Sequence, residues 1–222
     1  HELSKKLAVI TQGFPTQDAA ETAGVQERES DGRFTLLFTG TLNSPLRRVF
    51  RTGIELKAAL GDLSLRDVQL VLAGSAHTRG QSFEELGETA RVLGMIAHGE
   101  CLALQRRATV LLSVANDRHY QLPGKLFEYF GASRPILHLT VGARDPAARL
   151  VRQLRRGLVV ENERTAILGA LRTLHGWWRN GELDQRFDLS FESVQEYAWP
   201  SLALRFLREC ERARGGKTGG TT

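Results

Sequence analysis

The sequence predicts an α/β fold, a doubly wound parallel sheet with helices on both faces. Three observations predict it. Short runs such as Phe34–Gly40 (FTLLFTG), Val68–Gly74 (VQLVLAG) and Thr109–Ala115 (TVLLSVA) are largely apolar on both alternating sides, as strands covered on two faces are. Amphipathic stretches of helical length separate these runs. Strands alternating with helices imply parallel pairing through right-handed crossovers. Ligands of such sheets bind beyond the carboxyl ends of the strands, so the loops after Gly40, Gly74, Ala115 and Thr140 are expected to form the mouth of a site.

The elements follow in order. Residues 11–33 are polar without a clear period and read as a loop leading into the domain. After the strand at 34–40, residues 45–61 read as a helix with Ile54, Leu56, Ala59 and Leu60 on its apolar side. The strand 68–74 ends at glycine like the first. Phe83–Leu93 reads as a helix, Met95–His98 as a short strand and Cys101–Arg107 as a short helix. The strand 109–115 is followed by a helix over Pro123–Ala132, with proline in its first turn. Pro135–Thr140 is a strand, Pro146–Arg156 a helix closed by Gly157, Leu158–Glu161 a strand and Glu163–Arg179 a helix. A last helical stretch, 191–212, carries Pro200 in its middle, where proline forces a kink. The Gly- and Thr-rich end is expected to be disordered.

Composition narrows the function classes. Of 222 residues, 41% are hydrophobic and 25% charged, the profile of a globular protein large enough for a sizeable core. No apolar run approaches the roughly 18 residues of a membrane span, and the start does not read as a secretory signal. Two cysteines, Cys101 and Cys210, have no metal-ligand spacing and exclude a disulfide scaffold. A reducing, cytoplasmic setting is expected. The net charge is +5, and only five of the 30 cationic residues are lysine. Arginine suits planar anions such as phosphate. Its even spread, without a zinc-finger spacing or an aromatic RNA motif, argues against a nucleic-acid partner.

The segment Leu122–Leu137, LPGKLFEYFGASRPIL, carries the most chemistry. Gly124 lets a backbone approach a ligand. Amide groups at the start of the following helix suit an anion. Lys125 there opposes the helix dipole unless an anion repays it. Glu128, about one turn on, can accept two hydroxyl hydrogen bonds from a ribose. The alternative is that Lys125 and Glu128 simply pair with each other at i, i+3.

This segment resembles the hallmark of family-4-type glycosyltransferases of the GT-B fold. The match is Pro123, Gly124, Lys125, Glu128 and Tyr129, then Arg134, Pro135, Ile136 and Leu137. Phe38–Thr41 resembles the glycine loop after the first strand of their donor-binding domain, Val71–Gly74 its second strand, and His98–Gly99–Glu100 the turn that holds the nucleobase. Arg156–Val160 resembles the segment before the last strand. The resemblance spans about residues 7–212. It implies a Rossmann-like sheet forming one half of a GT-B architecture, the carboxyl-terminal half that binds the nucleotide-sugar. Residues 1–33 would then be a hinge segment, since Leu7–Gly13 resembles the handover from the amino-terminal domain. Residues 34–190 would be the nucleotide-sugar-binding domain. Residues 191–213 would be a kinked helix crossing toward the chain's own N-terminal acceptor domain, which is missing here, and 214–222 a disordered tail. An exposed apolar patch is expected where that domain packs.

The resemblance also implies site residues. Gly40 and Thr41 would line the glycine loop, His98 and Gly99 the base, and Leu122, Pro123, Gly124 and Glu128 the ribose and diphosphate. Arg47 is favoured over Arg48 and Arg51 as the cation on the diphosphate, with Lys125 beside it. Such a cation stabilises charge growing on the leaving group. No Asp-x-Asp motif is present, so no metal is expected, and the only small molecule implied is the nucleoside diphosphate-sugar. The family's Glu-x7-Glu motif is half present, because Tyr120 stands eight residues before Glu128. Other readings stay open: a nucleotide-binding module without transferase activity, or a sugar-nucleotide epimerase half of the same fold. His119 sits in a loop near the expected ligand, and His138 mid-strand reads as a core or rim histidine. Arg149, Arg152 and Arg156 share one helix face, either solvated or facing an anionic membrane as a peripheral contact of the full enzyme.

Overall fold

The computed structural model describes residues 7–16, 32–41, 49–75, 83–116 and 121–215. Its centre is one six-stranded, all-parallel sheet in the order β3-β2-β1-β4-β5-β6. The strands are β1 (Phe34–Thr39), β2 (Val68–Ala73), β3 (Ala90–Gly94), β4 (Val110–Val114), β5 (Ile136–Thr140) and β6 (Gly157–Glu161). The helices are α1 (Val49–Gly61), α2 (His98–Arg107), α3 (Lys125–Gly131), α4 (Pro146–Gln153), α5 (Arg164–Arg179) and α6 (Trp199–Gly215). This is the Rossmann-like doubly wound sheet that the sequence predicts.

Alternation along β1 shows why both faces must be covered. Phe34, Leu36 and Phe38 enter one core, shared with Leu56 and Leu60 of α1 and Leu171 of α5. Leu37 points the other way, into a core with Leu111, with Phe127 and Phe130 of α3 and with Val151 of α4. Each β1 side chain named here is almost wholly shielded from water. Exposing either face would return several such side chains to water, at about 1.5–3 kcal/mol each.

Several sequence expectations are corrected. The stretch 83–93 is not one helix: a 3-10 helix covers Phe83–Thr89, and Ala90–Gly94 is the edge strand β3. Gly87 (φ 56°) breaks the helical path, and Ala90, Arg91 and Val92 pair in parallel with Leu70, Val71 and Leu72. The expected strand at 95–98 gives way to a connection in which Met95 is 82% exposed. Helix α2 accordingly starts at His98, three residues before the expected Cys101.

Helix α4 ends at Gln153 rather than Arg156. Arg155 takes a left-handed backbone (φ 52°) and turns the chain. Gly157 opens β6 instead of closing the helix, and a Cβ there would lie 1.8 Å from the Ile136 carbonyl oxygen. Arg156 therefore leaves the face of Arg149 and Arg152. It is buried, with Nη2 donating to the Ser190 carbonyl. Pro200 does not kink a long helix either. It lies in the first turn of α6, where its missing N–H costs nothing. Residues 216–222 lie outside the described residues.

Residues 7–16 and α6 are joined. Phe14 N–H donates to the Tyr197 carbonyl (3.2 Å), and Trp199 N–H donates to the Phe14 carbonyl (3.0 Å). The Phe14 ring is buried against Gly131 of α3. Beyond Leu202, α6 leaves the domain surface, and Leu204, Phe206 and Leu207 are each 56% exposed.

Candidate functional site

The carboxyl ends of β1 and β4 lie side by side at the middle of the sheet. From β1 the chain winds outward to β2, and from β4 it winds the opposite way to β5. This reversal opens a crevice, the place where doubly wound sheets bind ligands.

Three elements converge beside it. Thr39 ends β1, and its backbone N–H and hydroxyl both donate to Tyr129 Oη of α3, at 2.9 and 3.2 Å. Gln105 of α2 is fully buried; its Nε2 reaches Thr39 Oγ1 (3.1 Å), Glu128 Oε2 (3.2 Å) and Cys101 Sγ (3.5 Å). Lys125 Nζ donates to Glu128 Oε1 (3.0 Å) and Oε2 (2.7 Å). A cation, a carboxylate, an amide, two hydroxyls and a thiol thus form one connected cluster. Burial pushes the Tyr129 phenol up to about 12, so it stays a neutral hydroxyl near neutral pH. Burial also pushes the Cys101 thiol up, against the nearby Lys125 charge and bonds to Thr39 and Gln105.

Glycines shape the floor. Gly40 follows β1 at φ 136°, and its N–H donates to the Ala73 carbonyl (2.9 Å). Gly74 follows β2 at φ 125°, and a Cβ there would sit 2.1 Å from the Gly40 carbonyl oxygen. The two strand ends can lie this close because Gly74 has no Cβ, while Gly40 holds a positive φ that other residues rarely adopt. Gly124 has an ordinary helical φ of −59°, and the atom nearest its missing Cβ is Gln12 Oε1.

The sequence-predicted residues are placed as follows. Lys125 and Glu128 are half-buried and paired, so the i, i+3 pair is present. Gly40 adjoins Thr39, and Thr41 beyond it is exposed. Pro123 is buried, Leu122 and Gly124 are half-buried, and the three lead directly into α3. His98 and Gly99 begin α2 rather than forming a loop, and the His98 side chain is exposed. Arg47, Arg48, His119 and Tyr120 lie outside the described residues, and Arg51 is described by its backbone alone.

Gln105, Thr39 and Cys101 are the members that sequence reasoning did not select. The available signal was a glutamine one turn after Cys101 on a short helix, a polar residue on a buried side. A shallow cleft between α2 and α3, lined by Gln105, Glu128, Arg106 and Phe14, adjoins this cluster; its cavity volume of about 10 Å³ is room for about one water.

A second buried polar chain lies on β5. His138 is bonded to Ser113 Oγ (3.0 Å) through Nδ1 and to Asp145 Oδ2 (2.7 Å) through Nε2. Asp145 also caps α4 by accepting from the Ala147 and Ala148 N–H groups. All three side chains are buried, so the set is a structural brace beneath the loop 141–145 and not an accessible nucleophile. Among the described residues, no group of three His, Cys, Asp or Glu could hold a metal, and no helix is long and apolar enough to cross a membrane.

No family model and no curated protein matches the chain. Solved structures do. Sucrose-phosphate synthase from Thermosynechococcus elongatus is 21% identical with a TM-score of 0.59, over 92% of this chain and 50% of its own. The α,α-trehalose 6-phosphate synthase from Burkholderia multivorans is 12% identical with a TM-score of 0.66, over 93% of this chain and 51% of its own. The pneumococcal O-GlcNAc transferase GtfA, solved with UDP and GlcNAc, is 12% identical with a TM-score of 0.60, over 91% and 38%. At these identities the likeness is one of fold. The chain spans between 38% and 51% of the length of each of these three structures.

Proposed function

We propose that this chain is the nucleotide-sugar-binding domain of a GT-B glycosyltransferase, of the family-4 type, and that the crevice at the ends of β1 and β4 holds the donor. The observation that carries the reading is the cluster at that crevice. Glu128 and Lys125, from the segment that resembles the family hallmark, are tied through Gln105 to Thr39, next to the Gly40 turn. A carboxylate suits a ribose diol and an ammonium suits a diphosphate. Three of the solved structures that share the fold are described as synthases or a transferase of sugars, one of them solved with UDP and GlcNAc, which supports the same ligand class.

In this reading Glu128 accepts the ribose hydroxyls and Lys125 meets the diphosphate. Arg47 adds a cation that stabilises the charge appearing on the β-phosphate as the glycosidic bond breaks. Gly40, Thr41, Leu122, Pro123 and Gly124 supply close backbone approach, and His98 and Gly99 flank the base. The acceptor belongs to an N-terminal domain that packs on the hinge segment and on the apolar side chains of α6, Phe206 and Leu207 among them. The full enzyme works in the cytoplasm, free or peripheral to a membrane, without a metal.

Calorimetry of the chain with UDP, GDP and dTDP tests the reading. Binding of at least one of them without turnover is expected. No heat with any of the three at millimolar ligand overturns it.

A further inference from the structure

Glu128 is already engaged within the protein. Lys125 Nζ holds both carboxylate oxygens, and Gln105 Nε2 holds Oε2 as well. An ionised carboxylate offers about four acceptor positions. Three are taken, and a vicinal diol needs two. One of the present partners must therefore move before a diol can bind.

Gln105 is the poor candidate to move. It is fully buried, and the same amide nitrogen also reaches Thr39 Oγ1 at 3.1 Å. Lys125 is the better one, because 33% of its side chain is exposed and its long stem swings freely. An ammonium that leaves Glu128 loses an ion pair, unless the arriving ligand brings an anion of its own. A diphosphate does so and a nucleoside does not.

We propose that the Lys125–Glu128 pair sets the ligand preference of this site: Lys125 blocks the carboxylate until a phosphate draws it away, so phosphorylated diols are accepted and the matching nucleosides are disfavoured. This rests on reading the crevice as a nucleotide-sugar pocket. Lys125 then acts twice, as a contact to phosphate and as a competitor of the bare diol. A simple phosphate contact would act only once.

The two roles separate in a binding experiment. The probes are UDP, uridine and 2′-deoxyuridine, with GDP, guanosine and 2′-deoxyguanosine as the second set. The proteins are wild type, Lys125→Met and Lys125→Gln, each checked by thermal melting. In both variants, affinity for the diphosphate that the wild type binds is expected to fall about tenfold, as for a lost charge-assisted contact. Affinity for its nucleoside is expected to rise about two- to fivefold, the size of a released, partly exposed ion pair. The deoxynucleoside lacks the diol and is expected to bind the variants no better than wild type. Nucleoside affinity that stays level or falls in both variants, with diphosphate binding by the wild type intact, overturns the proposal and leaves the pocket reading in place. A wild type that binds neither diphosphate overturns both.

Discussion

Tyr129 Oη sits 2.9 Å from the backbone nitrogen of Thr39, across 90 residues of sequence, and ties α3 to the end of β1. The phenol is fully buried, so its partner N–H has no water to turn to. Tyr129→Phe is expected to cost about 1–3 kcal/mol, the range for a buried donor left unsatisfied. The phenol also titrates. Burial holds its folded value at about 12, above the ordinary value of 10. Its contribution is whole below pH 10 and is lost as pH rises toward 12. Urea unfolding of both proteins from pH 7 to 11 is expected to show a steeper alkaline decline in wild type than in the Phe variant, where the raised Cys101 thiol and Tyr197 phenol still contribute.

Asp145 makes a matching prediction on the acid side. Burial pushes its carboxyl up, but the His138 hydrogen bond and charge, with bonds from Thr140 and Ala148, outweigh that and leave it below the ordinary 3.8. Stability from this group is present above pH 3.8 and is lost as pH falls through the lower folded value. Asp145→Asn keeps an oxygen for the Ala147 and Ala148 N–H groups but gives up the charge facing His138. It is expected to cost about 1.5–3 kcal/mol near neutral pH and to flatten the acid limb. Asp145→Ala also loses the cap, about 1 kcal/mol more. Unfolding curves at pH 7 and from pH 4 down to about pH 2 check both.

These contacts also show what the sequence could reveal. The sheet was legible because both faces of each inner strand are apolar and glycine punctuates the strand ends. The edge strand was not, because Leu86, Ala90 and Leu93 keep a helical spacing through Gly87, whose reversed backbone appears only in the fold. Arg156 looked like a third member of a basic face because nothing in the sequence marks the left-handed turn at Arg155. In the site, Lys125 and Glu128 were legible as neighbours in one segment. The Gln105–Thr39 bond spans 66 residues, and only the strand order brings its partners together.

Two glycines of the α3 segment separate a tight contact from a soft one. A Cβ on Gly131 would lie 2.5 Å from Phe14 Cδ2, and Phe14 is held by backbone bonds on both sides. The ring cannot step aside without moving the backbone around it. Gly131→Ala gains about 1 kcal/mol of helix propensity but strains a packed core by about 1–3 kcal/mol, so a net loss is expected. A Cβ on Gly124 meets only the end of the exposed Gln12 side chain, which can swing away. Gly124→Ala is expected to stay within about 0.5 kcal/mol of wild type. Melting curves of the two variants side by side make the comparison.

The exposed side chains of α6 carry a prediction about association rather than folding. Leu204, Phe206 and Leu207 contribute little to the domain core, since each is more than half exposed. Replacing the three with serine is expected to change unfolding free energy by no more than about 0.5 kcal/mol per site. Binding of a hydrophobic dye and self-association at high concentration are expected to fall, because apolar surface of this kind is sticky. A large loss of stability would mean that these residues pack on the domain.

Glu128 tests the site most directly. Glu128→Gln keeps the shape and an oxygen that still accepts from Gln105, but it removes the charge for which Lys125 and a ribose diol would compete. The side chain lies at the edge of the core, 18% exposed, so folding is expected to survive with a small change in melting temperature. Binding is a different matter. Two hydroxyl bonds to a carboxylate become bonds to a neutral amide, whose nitrogen can donate but not accept. The expected loss is about 1–3 kcal/mol in affinity for UDP or GDP, whichever the wild type binds. The loss should be smaller for the 2′-deoxy diphosphate, which has one ribose hydroxyl fewer to present. Calorimetry of both proteins with the diphosphate and its 2′-deoxy form supplies the four numbers. Equal losses for the two ligands would place the effect in Lys125, released by the missing charge. A folded variant with unchanged affinity would reduce Glu128 to a partner of Lys125 on the protein surface.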